Sequence, residues 1–191
     1  MPPIAHYRLP AALLALALSA SPTLAQQRPA RPAAPAGAPA EPATPDRTTA
    51  QYGDWALTCL RPQGARERLC EMSQAFQDAN QQPVAVLAFG RPAKDARFRL
   101  VLRVPPNVRV AQPAKLTLES DTALPFTLCN RQFCLVELEL PDDTLSRTMR
   151  LRAAEQPARL TWRDAAGTEL SLTVSARGFA AAWEAMQREG S

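Results

Sequence analysis

The chain has 191 residues, of which 22 are basic and 18 acidic, so its formal net charge at pH 7 is +4. A charge this small does not favour nucleic acid as a partner. The seven glycines form neither a dinucleotide-binding fingerprint nor a phosphate-binding loop, so no nucleotide cofactor is predicted.

The N-terminus has the three regions of a secretory signal peptide. Arg8 precedes an apolar run at residues 11–20, and the small-residue site Thr23-Leu24-Ala25 follows it. This order predicts a signal peptide at residues 1–25, cleaved after Ala25. A retained membrane anchor is the alternative, but the run is shorter than the roughly 20 residues that cross a bilayer. No later segment is apolar enough to span a membrane, and the mature charge is +3, with 21 basic and 18 acidic residues.

Cleavage would also remove His6, the single histidine of the chain. Hydrolases with Ser-His-Asp or Cys-His machinery need a histidine as general base, so the sequence predicts a protein that is not an enzyme and has no cofactor. Acid-base catalysis by Asp142 with Asp143, or by Glu137 with Glu139, is a weaker alternative. A helix start explains the first pair, and a solvated strand face explains the second.

Proline and alanine dominate the segment that follows the predicted cleavage site. Residues 26–50 cannot bury a core, which predicts a disordered or polyproline-like tether. Residues 51–191 have the usual length of one domain.

Most of the predicted domain alternates apolar and polar residues, as half-buried strands do. In the segment from Arg97 to Pro105, for example, Phe98 and the alternate apolar residues after it face one way and the arginines face the other. The strand number and spacing are typical of an antiparallel β-sandwich. The predicted strands are DWALTC, LCEMSQAF, PVAVLAFG, RFRLVLRVP, the part of VRVAQPAKLTLES around Leu116 and Leu118, PFTL, CLVELEL, and two strands joined at residues 165–167.

Four cysteines predict two disulfides, because an even number of cysteines in an exported chain is typical of bridges. Of the three pairings, Cys59 with Cys70 and Cys129 with Cys134 fits the strand pattern best, since residues 130–133 form the loop of a predicted hairpin. Spacings of ten and four intervening residues match neither a zinc knuckle nor a thiol oxidoreductase. No metal is predicted, and thiol exchange by Cys129 and Cys134 is an alternative.

Two helices interrupt the strands. The first is predicted from Asp142 to about Ala154, after acidic residues that favour a helix start. In the second, near the C-terminus, Phe179, Trp183 and Met186 form one apolar stripe. Such a stripe favours packing on the protein's own sheet, with a partner-binding face as the alternative.

Five motifs in one order carry a resemblance to a known family. They are YGDWALTC, LCEMSQ, the CNRQFC turn entering LVELEL, PDDTL, and LSLTVSARGFAAAWEAM, within residues 52–187. Together they resemble the invasion-associated locus B family of exported bacterial proteins. The resemblance implies an immunoglobulin-like β-sandwich, a periplasmic or outer-membrane-associated location and no established catalytic activity. Members are linked to invasion of host cells, so a virulence-related role is among the functions that it implies.

The candidate binding residues are Arg97, Arg99 and Arg103, with Arg109 as a further member. Arginine pairs bidentately with phosphate and carboxylate, so this stripe predicts contact with anionic lipid, lipopolysaccharide phosphate or an acidic protein. The alternative is a solvated strand whose arginines prevent edge pairing.

The predicted function is therefore that of an exported envelope protein that binds an envelope or host-surface component. The predicted location is the periplasm, with association with the outer membrane or secretion as variants. The alternatives are periplasmic thiol exchange or another enzymatic activity that uses Cys129 and Cys134, and a structural or stress-protective role in the periplasm. The sequence predicts no oligomeric state.

Overall fold

The structure is a computed structural model that describes residues 46–93, 95–153 and 155–190. The predicted signal peptide and residues 26–45 of the predicted tether lie outside the described residues. The first strand begins at Arg47, so residues 47–50, which the sequence analysis places in the tether, pair with the next strand instead. Strand β1 therefore starts before residue 51, and the sequence did not reveal it because alternation is hard to recognise in a short strand of small polar residues.

Eleven strands and two helices form within these ranges. The strands are β1 (Arg47–Tyr52), β2 (Trp55–Leu60), β3 (Leu69–Gln77), β4 (Pro83–Gly90), β5 (Arg99–Val104), β6 (Ala114–Thr117), β7 (Asp121–Leu124), β8 (Leu128–Cys129), β9 (Cys134–Glu139), β10 (Ala158–Arg163) and β11 (Glu169–Val174). The helices are α1 (Thr144–Leu151) and α2 (Phe179–Glu189).

The strands form two antiparallel sheets. The seven-stranded sheet has the order β1-β2-β3-β4-β5-β9-β8, and the four-stranded sheet has the order β11-β10-β6-β7. Five consecutive strands therefore run as a meander before the chain crosses to the second sheet and returns at β8 and β9. The predicted antiparallel β-sandwich is confirmed, as is the hairpin around residues 130–133.

One hydrophobic core joins both sheets and α2. Trp55 and Phe89 point inward from the seven-stranded sheet, and Phe179 meets both rings edge-on at centroid distances of 4.9 and 5.3 Å. The whole predicted stripe of α2, including Trp183 and Met186, is buried. The prediction that this helix packs on its own sheet is confirmed.

The β1–β2 turn is locked to the segment that leads into α2. Gly178 has φ +86°, and a Cβ atom there would lie 2.0 Å from the carbonyl oxygen of Tyr52. The Asp54 amide donates to the carbonyl of Arg177 at 3.1 Å, and the Arg177 guanidinium donates to the Asp54 carboxylate. The hydrogen bond from the Arg177 guanidinium, together with one from the Ser175 side chain, holds the pKa of the Asp54 carboxyl below its usual range. Two of the motifs that carry the resemblance, YGDW and ARGF, thus meet and fix the position of α2.

Helix α1 is shorter than predicted. It begins at Thr144, whose amide donates to Asp142 Oδ1 at 2.8 Å, and it ends at Leu151. The bond to the Thr144 amide lowers the pKa of Asp142, and the hydrogen bond from Arg147 lowers the pKa of Asp143. Both carboxylates therefore stabilise the start of the helix.

Candidate functional site

The outer face of the seven-stranded sheet carries a cleft of about 540 Å³ between charged side chains. We call it the arginine trough and define it by its charged lining, which is Arg47, Arg91, Arg99, Arg103, Glu71 and Glu137. Its volume lies within the range of roughly 300 to 1,000 Å³ that is typical of small-ligand sites.

Small residues of β4 create the depression. Gly90 lies between Glu71 of β3 and Arg99 of β5 in the sheet register. It has no side chain, and a Cβ atom there would lie 3.2 Å from the carbonyl oxygen of Cys70. Ala88, two residues earlier, occupies the next position on the same face, between Ser73 and Val101. The backbone of β4 therefore forms the floor, and the long side chains of its neighbours form the walls.

Two of the four predicted arginines line this trough. Arg99 and Arg103 lie four residues apart on the same outward face of β5, while Leu100, Leu102 and Val104 are buried in the core. The alternation of apolar and basic residues along this strand is therefore present as the sequence predicts.

The other two predicted arginines lie elsewhere. Arg97 precedes β5 and its Nη1 lies 3.4 Å from Glu139 Oε1. The amide of Arg109 donates to the carbonyl of Arg163 at 2.9 Å, which places Arg109 beside β10 of the four-stranded sheet. The predicted stripe is thus split, because the chain leaves the seven-stranded sheet after Val104.

Strand β5 lies between β4 and β9 and is not an edge. The interpretation that its arginines prevent edge pairing is therefore wrong. On an interior strand both sets of backbone groups are already paired, so positive charge on its outer face has no role in blocking a further strand.

Sequence reasoning missed Arg47, Arg91 and Glu71. Arg47 fell within the predicted tether, Arg91 follows β4 in a turn, and Glu71 belongs to another strand. Strand pairing over long sequence distances brings them to Arg99. The available signal was Gly90 at the end of an apolar strand. A glycine in a strand often marks a site where a ligand or another backbone approaches closely.

The trough has an excess of positive charge, with four arginines against two glutamates. Within the described part of the chain, Arg47 and Arg99 form no salt bridge. Partial burial raises the pKa of the Glu71 carboxyl, and the charge of Arg103 opposes that rise. The arrangement can therefore accept an anion without breaking an existing ion pair of Arg47 or Arg99.

The structure joins the four cysteines in the local pairing. Cys59 and Cys70 are opposite each other on β2 and β3, and Cys129 and Cys134 are opposite each other on β8 and β9. Cys59, Cys70 and Cys134 are buried, whereas Cys129 is exposed.

One grouping of metal-ligand types occurs among the described residues, namely Cys59, Cys70 and Glu189. Its sulfur atoms are bonded to each other, and a disulfide offers no thiolate to a metal. The grouping is therefore a poor metal site.

Both the sequence and the fold of this chain are similar to those of known proteins. Residues 55–187 match the family model of the Invasion associated locus B (IalB) protein. The chain belongs to the IalB family. The crystal structure of invasion associated protein B from Bartonella henselae is similar, with a TM-score of 0.62 and 21% identity over 75% of this chain and 99% of that chain. No individually curated protein matches the chain.

Membership of the IalB family confirms the resemblance seen in the sequence, and the Bartonella structure supports the fold. The family and the two disulfides also indicate an exported protein. None of the helices in residues 46–93, 95–153 and 155–190 has the length and hydropathy needed to cross a membrane.

Proposed function

We propose that this IalB-family protein is a non-enzymatic protein of the cell envelope that binds an anionic headgroup through the arginine trough. The observation that carries the proposal is the position of Arg99 and Arg103 on β5 beside Gly90 and Val86 of β4, where all four residues line one cleft. Arginine guanidinium groups bind phosphate oxygens through paired hydrogen bonds.

A phosphate-bearing lipid headgroup fits the trough better than an acidic protein does. A cleft of about 540 Å³ encloses a group of small-ligand size. A stable protein partner would instead need an interface of roughly 1,200 Å² or more. The excess of two positive charges suits a phosphate group, whose oxygens can accept paired hydrogen bonds from more than one guanidinium.

The proposed location is the periplasm, on or near the outer membrane. In this proposal residues 1–25 are a signal peptide cleaved after Ala25, and the proline-rich residues that follow are a tether. An extended tether of this composition covers about 3.1 Å per residue, which would allow the domain to reach some tens of ångströms from an attachment point. A virulence-related role would require that the trough binds a lipid of the host-cell surface rather than one of the bacterial envelope.

Thiol exchange by Cys129 and Cys134 is the weaker candidate. Attack by an external thiolate on the exposed Cys129 sulfur would release Cys134 as a thiolate. Cys134 is fully buried, and an apolar environment disfavours a thiolate. The position of the bridge therefore supports a structural role.

The test is sedimentation of the mature protein with phospholipid vesicles that contain about one quarter anionic phosphatidylglycerol. The double variant Arg99→Gln/Arg103→Gln should bind at least about tenfold more weakly, since it loses two charge-assisted contacts. Vesicles of phosphatidylcholine alone should not bind the wild type.

The matched control is Arg97→Gln/Arg109→Gln, which removes the same charge from two arginines outside the trough. It should bind within about twofold of the wild type. Equal losses in the two double variants would show that net charge alone drives binding, and unchanged binding of the trough variant would refute the proposed site. Capture of an acidic protein without vesicle binding would assign the trough to a different partner class.

A further inference from the structure

A second cleft, of about 660 Å³, lies where the two helices meet the segment before β5. We call it the helix cleft. Its lining includes Arg97, Phe98, Pro141, Arg150 and Trp183. Arg99 and Arg103, which carry the phosphate-binding function proposed above, do not line it, and Arg91 borders both clefts.

Trp183 lines this cleft, and its indole N–H is a buried donor. Trp183 is 1% exposed and packs on Phe98 at a centroid distance of 4.5 Å. Among the described residues its Nε1 has no hydrogen-bond partner. By contrast, the indole N–H of Trp55 donates to the carbonyl of Ser175 at 2.9 Å. Buried donors are nearly always paired in folded proteins, so an acceptor for Trp183 is expected to come from outside these residues.

Arg150 brings a second donor to the same place. Its guanidinium carbon lies 5.9 Å from the centroid of the Trp183 ring. Its Nε is also buried and has no partner among the residues described, and its Nη2 lies 3.8 Å from Asp143 Oδ2. The helix cleft therefore contains two neighbouring side chains with unfilled N–H groups, and both of them need an acceptor.

The charges of the lining limit the class of ligand. Three arginines are balanced by three aspartates, so the cleft lacks the positive excess that a phosphate dianion favours. Two of these aspartates are already engaged, Asp142 by the amide of Thr144 and Asp143 by Arg147. A singly charged, planar group with two acceptor oxygens suits one guanidinium and one indole N–H. Pro141 offers exposed apolar surface beside it, and Phe98 is half-buried, with the Arg91 guanidinium 3.9 Å from its ring centroid.

From this geometry we propose that the helix cleft binds the C-terminal carboxylate of a short peptide with small apolar side chains. The carboxylate accepts hydrogen bonds from Trp183 Nε1 and from the Arg150 guanidinium. The adjoining residues of the peptide rest on Phe98 and Pro141. A volume of about 660 Å³ accommodates a few residues of such a chain.

The test follows the indole N–H resonances of the full mature protein by NMR. The chain has three tryptophans, and the variant Trp183→Phe assigns the peak of Trp183. N-acetyl-trialanine with a free carboxylate should shift this peak downfield in a saturable way. The Trp55 peak should stay in place, because that N–H is already bonded. N-acetyl-trialanine amide should cause no saturable shift.

Two further titrations separate the parts of the proposal. Acetate should bind at least about tenfold more weakly than the peptide acid, because it lacks the apolar chain. Acetate that binds as tightly as the peptide would overturn the peptide part. Arg150→Gln should weaken peptide binding by at least about tenfold, whereas Arg159→Gln, on β10 of the four-stranded sheet, should leave it unchanged.

An unmoved Trp183 resonance at about 10 mM peptide acid, beyond the millimolar range of weak ligands, would refute the site. An equal shift with the amide, or full affinity of the Arg150→Gln variant, would refute the role of the carboxylate. An unchanged Trp55 peak in each variant shows that the fold is intact.

Discussion

At the scale of single residues, glycine decides where main chains approach each other in this protein. Gly178 lies against the carbonyl oxygen of Tyr52, and Gly53 lies against the carbonyl oxygen of Arg177. Both have positive φ, at +86° and +56°. The two residues make the close approach between the β1–β2 turn and the start of α2 possible.

Replacing Gly178 by alanine should destabilise the domain by at least about 3 kcal/mol, because the Cβ atom would clash with Tyr52 and the backbone would be strained. Gly64→Ala is the control. Gly64 also has positive φ, at +79°, but has no atom within 4 Å of an added Cβ, so the cost there should be only about 1 kcal/mol. Urea unfolding measures both, and similar losses at the two positions would contradict the steric explanation.

Glu71 provides a test of charge inside the trough. Partial burial raises the pKa of its carboxyl, so the unfolded chain releases this proton more readily and ionisation of Glu71 lowers stability at neutral pH. Glu71→Gln should therefore raise the melting temperature at pH 7. The gain should shrink as the pH falls through the carboxylate range, where the glutamate is protonated in both states.

The same substitution should also strengthen binding to anionic vesicles, since it removes a negative charge from the trough. Glu119→Gln, at an exposed position after β6, makes the same charge change outside the trough and serves as control. A lower melting temperature at pH 7, or equal gains in binding for both variants, would contradict the assignment of Glu71.

At the scale of elements, each disulfide fastens one pair of adjacent strands. Cys59–Cys70 links β2 to β3 over a sequence separation of 11, and Cys129–Cys134 links β8 to β9 over a separation of 5. The first bridge is buried beneath the end of α2, where Gly190 approaches Cys70. The second holds a strand of two residues at the edge of the sheet.

Replacing Cys59 and Cys70 together by serine should lower the free energy of unfolding by about 3 kcal/mol, and the same change at Cys129 and Cys134 by about 2 kcal/mol, because the longer loop loses more entropy when it is closed. Burial of the first pair adds a further cost for the two hydroxyl groups. Denaturant unfolding of both double variants checks this order, and a larger loss from the β8–β9 pair would reverse it.

Local periodicity explains which elements could be predicted. Along RFRLVLRVP and in the stripe of α2, each side chain's environment depends on its immediate neighbours in the chain, so alternation and helical spacing were sufficient. The N–H of Trp183 could not be recognised as unfilled, because the sequence does not show whether a buried indole has an acceptor. The end of α1 at Leu151 was also missed, since residues after it carry no strong stop signal.

At the scale of the whole molecule, the trough depends on sheet order, which the sequence does not reveal. Arg99 and Arg103 were recognised from one strand. Their neighbours come from β1, β3 and the turn after β4, and the interior position of β5 depends on pairing with β9, about 35 residues later. After β5 the chain crosses to the four-stranded sheet, and Arg109 therefore lies beside β10. Local pattern therefore predicted strand β5 and two of the four arginines of the trough, but not the surface that the four form.

The two clefts differ in the net charge of the side chains that line them. The trough has a positive excess, and the helix cleft is balanced. Arg91 lines both, so one side chain borders two sites of different chemistry on neighbouring parts of the domain.

Strand β1 opens with Arg47, and Arg47 stands on the rim of the trough. The polypeptide thus enters the domain at the mouth of its proposed binding surface. Purification tags, fluorophores or immobilisation handles joined close to this entry point would obstruct the opening and imitate a loss of affinity.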